Sequence, residues 1–272
     1  MKKIFLKNSN GQKIYGILSD SDSKSMVIIC HGLGQSKDSL IYETLQDKLN
    51  DLGISTLRID MLGHGDSEGA YSDLTLTEAI EDVLIYNEYV RKMGYFYVGF
   101  IGQSFGAVAG IMACPVAHFD FLVLISPPTH YDIKEIIISG YYLLKGLRRY
   151  RREVLDNRKD SSVQMKFFQD YASHDSYVAA AKIDSPVFII QGGGDKIVPL
   201  AKTLELNKIL RNSRMKIFEG VDHEYTHPLA NSRLIDETVN FVSEMDHIHR
   251  FNQPELIEEL NRKVDQIILE IA

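Results

Sequence analysis

The chain has 272 residues, 44% of them hydrophobic, and a formal net charge of −7. That apolar content supports a substantial core and excludes a disordered chain. The negative balance argues against nucleic-acid binding, which needs a basic face to neutralise phosphates. No apolar run approaches the length of a bilayer crossing, and Lys7 and Asn8 interrupt the apolar residues after Met1-Lys2-Lys3, so neither a membrane span nor a secretory leader is expected. Cys30 and Cys114 both lie in apolar segments and read as buried free thiols, which points to a cytoplasmic location.

Two short apolar runs, 4–6 and 13–18, flank Asn8-Ser9-Asn10-Gly11 and predict an antiparallel hairpin at a sheet edge. Residues 26–30 form a continuous apolar run, as expected of a strand buried on both faces, and end in His31-Gly32-Leu33-Gly34. Ile41, Leu45, Leu49 and Leu52 then recur at helical spacing before Gly53. A strand over 55–60 runs into the glycine-rich stretch 61–69. Thr75 with Glu78 fits a capping box, opening a helix whose apolar face carries Leu76, Ile80, Val83, Leu84 and Val90 and which stops at Gly94. Further strands are predicted over 97–101, 121–125, 186–190 and 215–218. Strands alternating with amphipathic helices define an α/β fold, a mostly parallel sheet covered by helices on both faces. No internal repeat or low-complexity segment interrupts it, and residues 1–272 read as one domain.

Two segments depart from the alternation. Residues 127–185 are too many for a structureless loop and read as a helical cap over the strand ends, with a helix over 133–147 and a basic cluster of Lys145, Arg148, Arg149, Arg151 and Arg152. Tyr141, Tyr142 and Leu144 are its candidate substrate contacts. After a closing helix over about 229–245 and a polar connector over 247–253, residues 254–271 carry Ile257, Leu260, Val264, Ile267 and Ile271 in a heptad stripe. That stripe either folds back on its own domain or packs on a second subunit as a homodimer.

The chemistry centres on Gly102-Gln103-Ser104-Phe105-Gly106, between a buried strand and an apolar helix. Such a turn is so tight that the serine is held in a strained conformation with its hydroxyl exposed, and a side chain two residues to either side would strike neighbouring backbone. A serine hydroxyl needs a base, and the base needs an orienting acid. Asp195, in Gly192-Gly193-Gly194-Asp195, follows a strand and is the candidate acid, although an aspartate there could instead cap the helix near Leu200. His223 follows the next strand and is the candidate base. Asp222 is the second candidate for the acid, badly placed beside His223 in sequence. His223 and His227 have the i, i+4 spacing of a metal pair, with Glu224 between them, but no third ligand is found in the sequence, so no metal is assigned. Negative charge developing on a substrate carbonyl calls for waiting N–H donors, one from Phe105 and one from Leu33. His31 and His64 read as braces of their loops, and His247 and His249 as surface residues.

These stretches resemble the α/β-hydrolase superfamily over residues 26–245, most of all the cinnamoyl (feruloyl) esterases and more distantly the monoacylglycerol lipases. The likeness rests on His31-Gly32-Leu33-Gly34, on residues 58–69 (Arg-Ile-Asp-Met-Leu-Gly-His-Gly-Asp-Ser-Glu-Gly), on the serine turn, on residues 192–199 and on residues 220–225. It implies a triad of Ser104, Asp195 and His223, an oxyanion hole from Leu33 and Phe105, and a cofactor-free esterase acting on a small-molecule ester. The 127–185 insertion departs from the cinnamoyl-esterase cap, which holds the phenolic ring in that family. An amidase or peptidase on the same triad, and a monoacylglycerol-lipase-like enzyme, are the alternatives.

Overall fold

The computed structural model describes residues 1–21, 24–129 and 164–251. Eight strands form one sheet: β1 (Lys2–Lys7), β2 (Lys13–Ser19), β3 (Ser25–Cys30), β4 (Ser55–Ile59), β5 (Tyr97–Gln103), β6 (Phe121–Ile125), β7 (Val187–Gly192) and β8 (Ser213–Phe218). Their order is β1-β2-β4-β3-β5-β6-β7-β8. The β1–β2 hairpin is antiparallel, as its Asn-Gly turn predicts, and joins β4 antiparallel; every other pairing is parallel. This is the α/β-hydrolase fold, and all eight strands lie where the sequence pattern puts them.

The central strands are buried on both faces, so their residues divide by alternation. Met26, Ile28 and Cys30 face one core layer with Val98, Phe100, Leu122 and Leu124, beneath α2 (Leu76–Lys92) and α3 (Phe105–Ala117). Val27 and Ile29 face the other, with Ile101, Val123 and Ile190, beneath α1 (Leu40–Asp51). Two shorter helices, α4 (Met165–Ser173) and α5 (Ser176–Ala180), precede β7, and α6 (Leu200–Ile209) lies between β7 and β8. The chain then runs into α7 (Pro228–Phe251), which packs on α1. Cys30 and Cys114 are buried and free.

Four sequence expectations need correction. In α2 the buried stripe is Leu76, Ala79, Val83, Tyr86 and Val90 with Asp82 and Asn87, while Ile80 and Leu84 pack at its half-buried margin. The Thr75 hydroxyl accepts the Glu78 N–H, but Glu78 Oε2 has no partner, so only half of the capping box forms. The closing helix passes Met245 and continues to Phe251 without the expected connector at 247. No proline or glycine stops it there. An Arg250–Asp246 pair one turn apart (2.7 Å) and the His249 ring stacked on Tyr97 (3.9 Å) hold the last turns. His249 is therefore half-buried rather than a free surface residue; His247 is exposed.

Residues 130–163, with Tyr141, Tyr142, Leu144 and the basic cluster, and residues 252–272, with the heptad stripe, lie outside the described residues. Among the described residues, no helix is long and apolar enough to cross a membrane.

Candidate active site

The parallel strands end in register. Cys30 pairs with Ile59 and with Gly102, Ile125 with Gln103 and Ile190, and Gly192 with Phe218. The loops after these strands therefore open along one edge of the sheet, where ligands of open α/β sheets bind.

Ser104 leaves that edge with φ 49° and ψ −118°, a conformation costing on the order of 1–3 kcal/mol for a residue with a side chain. Two glycines let the turn close. A Cβ on Gly102 would lie 2.6 Å from Ala107 Cα, and one on Gly106 2.4 Å from the His31 carbonyl oxygen. The Ser104 N–H donates to Ile125 O at 2.7 Å. Ser126 (φ 46°) and Tyr225 (φ 51°) are also left-handed, and their hydroxyl oxygens lie 3.2 Å apart. Backbone strain thus concentrates around the serine.

Ser104, His223 and Asp195 meet in one row. His223 Nε2 lies 2.9 Å from Ser104 Oγ, and Nδ1 lies 2.7 Å from Asp195 Oδ2. An ionised carboxylate can only accept, so Nδ1 carries the proton and Nε2 is left to accept from the serine. The acid is itself held on both oxygens. Oδ1 accepts the N–H groups of Ile197 and Val198, each at 2.8 Å, and Oδ2 accepts Gln191 Nε2 at 3.0 Å. Ile197 and Val198 lie in the loop before α6, whose N-cap is Pro199 with no side-chain bond, so Asp195 braces its own loop and does not cap that helix. Burial disfavours charge on the His223 ring, but the hydrogen bond and charge of Asp195, with Glu224 and Asp222 nearby, outweigh it and raise the pKa above the usual imidazole value. Asp195 shows the converse: burial works against its charge, and His223 with the two backbone donors hold its pKa below the ordinary carboxylate value.

Asp222, the rival acid, turns away and accepts from the Thr226 N–H at 3.0 Å and from its hydroxyl. His227 accepts the Leu229 N–H at Nδ1 (3.3 Å) at the start of α7, while both nitrogens of His223 are engaged elsewhere, so the two rings do not act as a pair.

The oxyanion candidates flank the serine. Phe105 is the first residue of α3, where an N–H has no intrahelical acceptor. Gly32 packs against the elbow, a Cβ there falling 3.4 Å from Ser104 Cβ. Residues 32–35 form a turn closed by Gln35 N–H to Gly32 O (3.1 Å), with Gly34 at φ 79°, a type II geometry. The Gly32 N–H goes to Gln35 Oε1 and the Gly34 N–H to His64 Nε2. The Leu33 N–H, at the second turn position, is the one the turn itself does not engage.

Several residues that build this edge carry no motif that marks them in the sequence. Gln191 braces Asp195, and Thr203 in turn donates to Gln191 Oε1 (2.8 Å). Gln35 Nε2 donates to Glu224 Oε2 (3.0 Å), tying the Leu33 turn to the His223 loop. Lys37 is buried, its ammonium 2.6 Å from Asp38 and Asp66 and 3.0 Å from Asp60. Burial opposes that charge, but the three carboxylates hold the lysine above its ordinary pKa. From α4, Phe167 and Tyr171 pack on the Phe105 ring, with centroids 5.3 and 6.5 Å away. Their i, i+4 spacing was visible; their target was not.

Fold and site edge together define a protein of the α/β-hydrolase class. Residues 21–179 match the family described as Hydrolase_4, serine aminopeptidase, and the chain belongs to that family. Human Protein ABHD12B is 28% identical over 201 residues, covering 71% of this chain and 51% of that protein, so the match spans about half the length of that relative. Among solved structures, ferulic-acid-bound Est1E from Butyrivibrio proteoclasticus superposes with a TM-score of 0.73 at 21% identity, covering 89% of this chain and 98% of that one. The monoacylglycerol lipase from Paleococcus ferrophilus gives 0.68 at 19% identity, covering 85% and 99%. At these identities the solved structures establish the shared fold.

Proposed function

We propose that this protein is a serine carboxylesterase that cleaves small or medium acyl esters through an acyl-enzyme on Ser104. The observation that carries the reading is the unbroken hydrogen-bonded row from Ser104 Oγ through His223 to Asp195. Ser104 Oγ attacks the ester carbonyl carbon as its proton passes to His223 Nε2. The carbonyl oxygen, now negative, is received by the Leu33 and Phe105 N–H groups. Collapse of the adduct breaks the bond to the alcohol oxygen, which leaves with the proton from His223. Water then repeats the sequence on the acyl-serine, releasing the acid and restoring the serine. The cycle balances with water alone and calls for no cofactor. The buried free thiols of Cys30 and Cys114 support work in a reducing compartment such as the cytoplasm.

Ser104→Ala tests this. It should lower p-nitrophenyl acetate turnover by at least roughly a thousandfold with the fold intact, since the hydroxyl faces the site rather than the core. Undiminished turnover would reject Ser104 as the nucleophile.

A second reading, an amidase or peptidase on the same triad, is favoured by one observation, the description of the matched family as serine aminopeptidase. Matched ester and anilide substrates separate the two: kcat/KM higher on the ester supports the first reading, and higher on the anilide the second.

A further inference from the structure

The row of Ser104, His223 and Asp195 leaves two buried imidazoles without a part in the reaction. His31 and His64 are 1% and 3% exposed, and their ring centroids are 4.9 Å apart. Each bonds to its own loop and to the other, and His31 Nε2 also lies 3.8 Å from Asp60 Oδ1. His31 Nδ1 is 2.8 Å from Gly32 O, and its Nε2 accepts the Met61 N–H at 3.2 Å. His64 Nδ1 is 3.0 Å from Leu62 O, and its Nε2 accepts the Gly34 N–H at 3.1 Å. In both rings the nitrogen facing a backbone N–H must be bare and the nitrogen facing a carbonyl must carry the proton, so both are neutral Nδ1–H tautomers. Burial, together with the nearby Lys37 charge, draws His31 down to about 4 against the opposing bond to Gly32, which keeps the ring neutral at ordinary pH.

These bonds fall on the two peptides either side of Leu33. The Gly32–Leu33 peptide is trans and planar, so its N–H points opposite its carbonyl. Fixing Gly32 O with His31 Nδ1–H and the Gln35 N–H therefore fixes where the Leu33 N–H points. The following peptide, whose rotation interconverts turn types I and II, is held at the Gly34 N–H by His64. Tyr71 packs on the outer side of the His64 ring, 4.9 Å between centroids.

We propose that His31 and His64 form a reciprocal imidazole clasp between the 31–39 and 60–69 loops, acting as positioning residues that aim the Leu33 N–H at the substrate oxyanion. The catalytic part of this rests on the esterase reading; the clasp itself does not.

The test uses full-length His64→Phe, which keeps a ring between His31 and Tyr71 but loses both hydrogen bonds, and His64→Gln, whose amide can accept from Gly34 and donate to Leu62. Amide hydrogen exchange over residues 31–36 should be at least about tenfold faster in His64→Phe, because an opened turn exchanges readily. Its kcat on p-nitrophenyl acetate should fall about ten- to a hundredfold with KM within about twofold, the pattern of a misaimed transition-state donor. His64→Gln should recover most of both. If the phenylalanine variant does not fold, His64→Asn carries the same test, since its shorter amide leaves Gly34 unpartnered. Unchanged exchange, a kcat within twofold of the parent, or a glutamine variant no better than phenylalanine would each overturn the proposal. Parent turnover that survives Ser104→Ala would instead fail the esterase reading, and the exchange data would still score the clasp.

Discussion

His223 and His31 are both buried imidazoles on the same edge of the same sheet, and their neighbours give them opposite properties. His223 hydrogen-bonds a carboxylate and has its pKa raised; His31 hydrogen-bonds backbone groups, with Asp60 Oδ1 3.8 Å from its Nε2, and burial together with the Lys37 charge draws it down to about 4. Burial alone disfavours the charged form of both. Asp195 bonds the His223 ring at 2.7 Å, whereas the carboxylate nearest His31, Asp60, stands 3.8 Å from its Nε2 and is itself paired with Lys37 at 3.0 Å, and only His223 has a hydroxyl at its other nitrogen. The proposed base and the proposed brace are thus separated by their partners, a difference that residue type and loop position do not convey.

The largest break in this contrast should come from His223→Gln, which removes the base. Turnover should fall about ten-thousandfold or more, measured as kcat on p-nitrophenyl acetate against a folded control by circular dichroism. Asp195→Asn comes next. It keeps the shape but favours the wrong tautomer of His223, and kcat should drop by roughly a thousand- to ten-thousandfold. Gln191→Leu leaves the triad intact and removes one of the donors on Asp195 Oδ2, so a loss of about tenfold in kcat with unchanged KM is expected.

The pH profile sharpens the same comparison. In the proposed mechanism neutral His223 is the active form, and its pKa is raised, so kcat/KM should climb with pH along a limb centred above the ~6.5 of a free imidazole. In Asp195→Asn the limb should move to lower pH, because the raising influence is gone while burial remains. A limb at the free-imidazole value in the parent would show that Asp195 does not govern the ring. The smallest effect is expected from Asp222→Asn. Its carboxylate serves Thr226, and turnover should stay within about threefold of the parent; a loss matching that of Asp195→Asn would reverse the assignment of the acid.

Strand positions were legible because continuous apolar runs such as 26–30 and 121–125 admit few other uses, and Gly102 and Gly106 sit where a Cβ would strike backbone. Ser104, Asp195 and His223 could be chosen as candidates from their order after three separate strands. What the sequence could not supply was contact. Gln191 and Gln35 carry no pattern that marks them, since each acts through one side-chain amide reaching a residue whose place depends on the whole sheet. The helix α7 outran its expected end because the stretch from residue 247, rich in polar side chains, looks like a connector, whereas an ion pair and a ring stack hold it as a last helical turn. Asp82 entered the buried face of α2 for a similar reason: its Oδ2 accepts the Leu62 N–H at 2.7 Å, a tertiary bond that periodicity does not see.

The most direct measurement is labelling with a fluorophosphonate, which phosphonylates an activated serine, followed by peptide mass spectrometry of the parent and Ser104→Ala proteins. A single adduct on Ser104, absent from the alanine variant and slowed strongly in His223→Gln, is the predicted result. A parent protein that takes up no label at Ser104, or a Ser104→Ala protein labelled as readily as the parent, would contradict it.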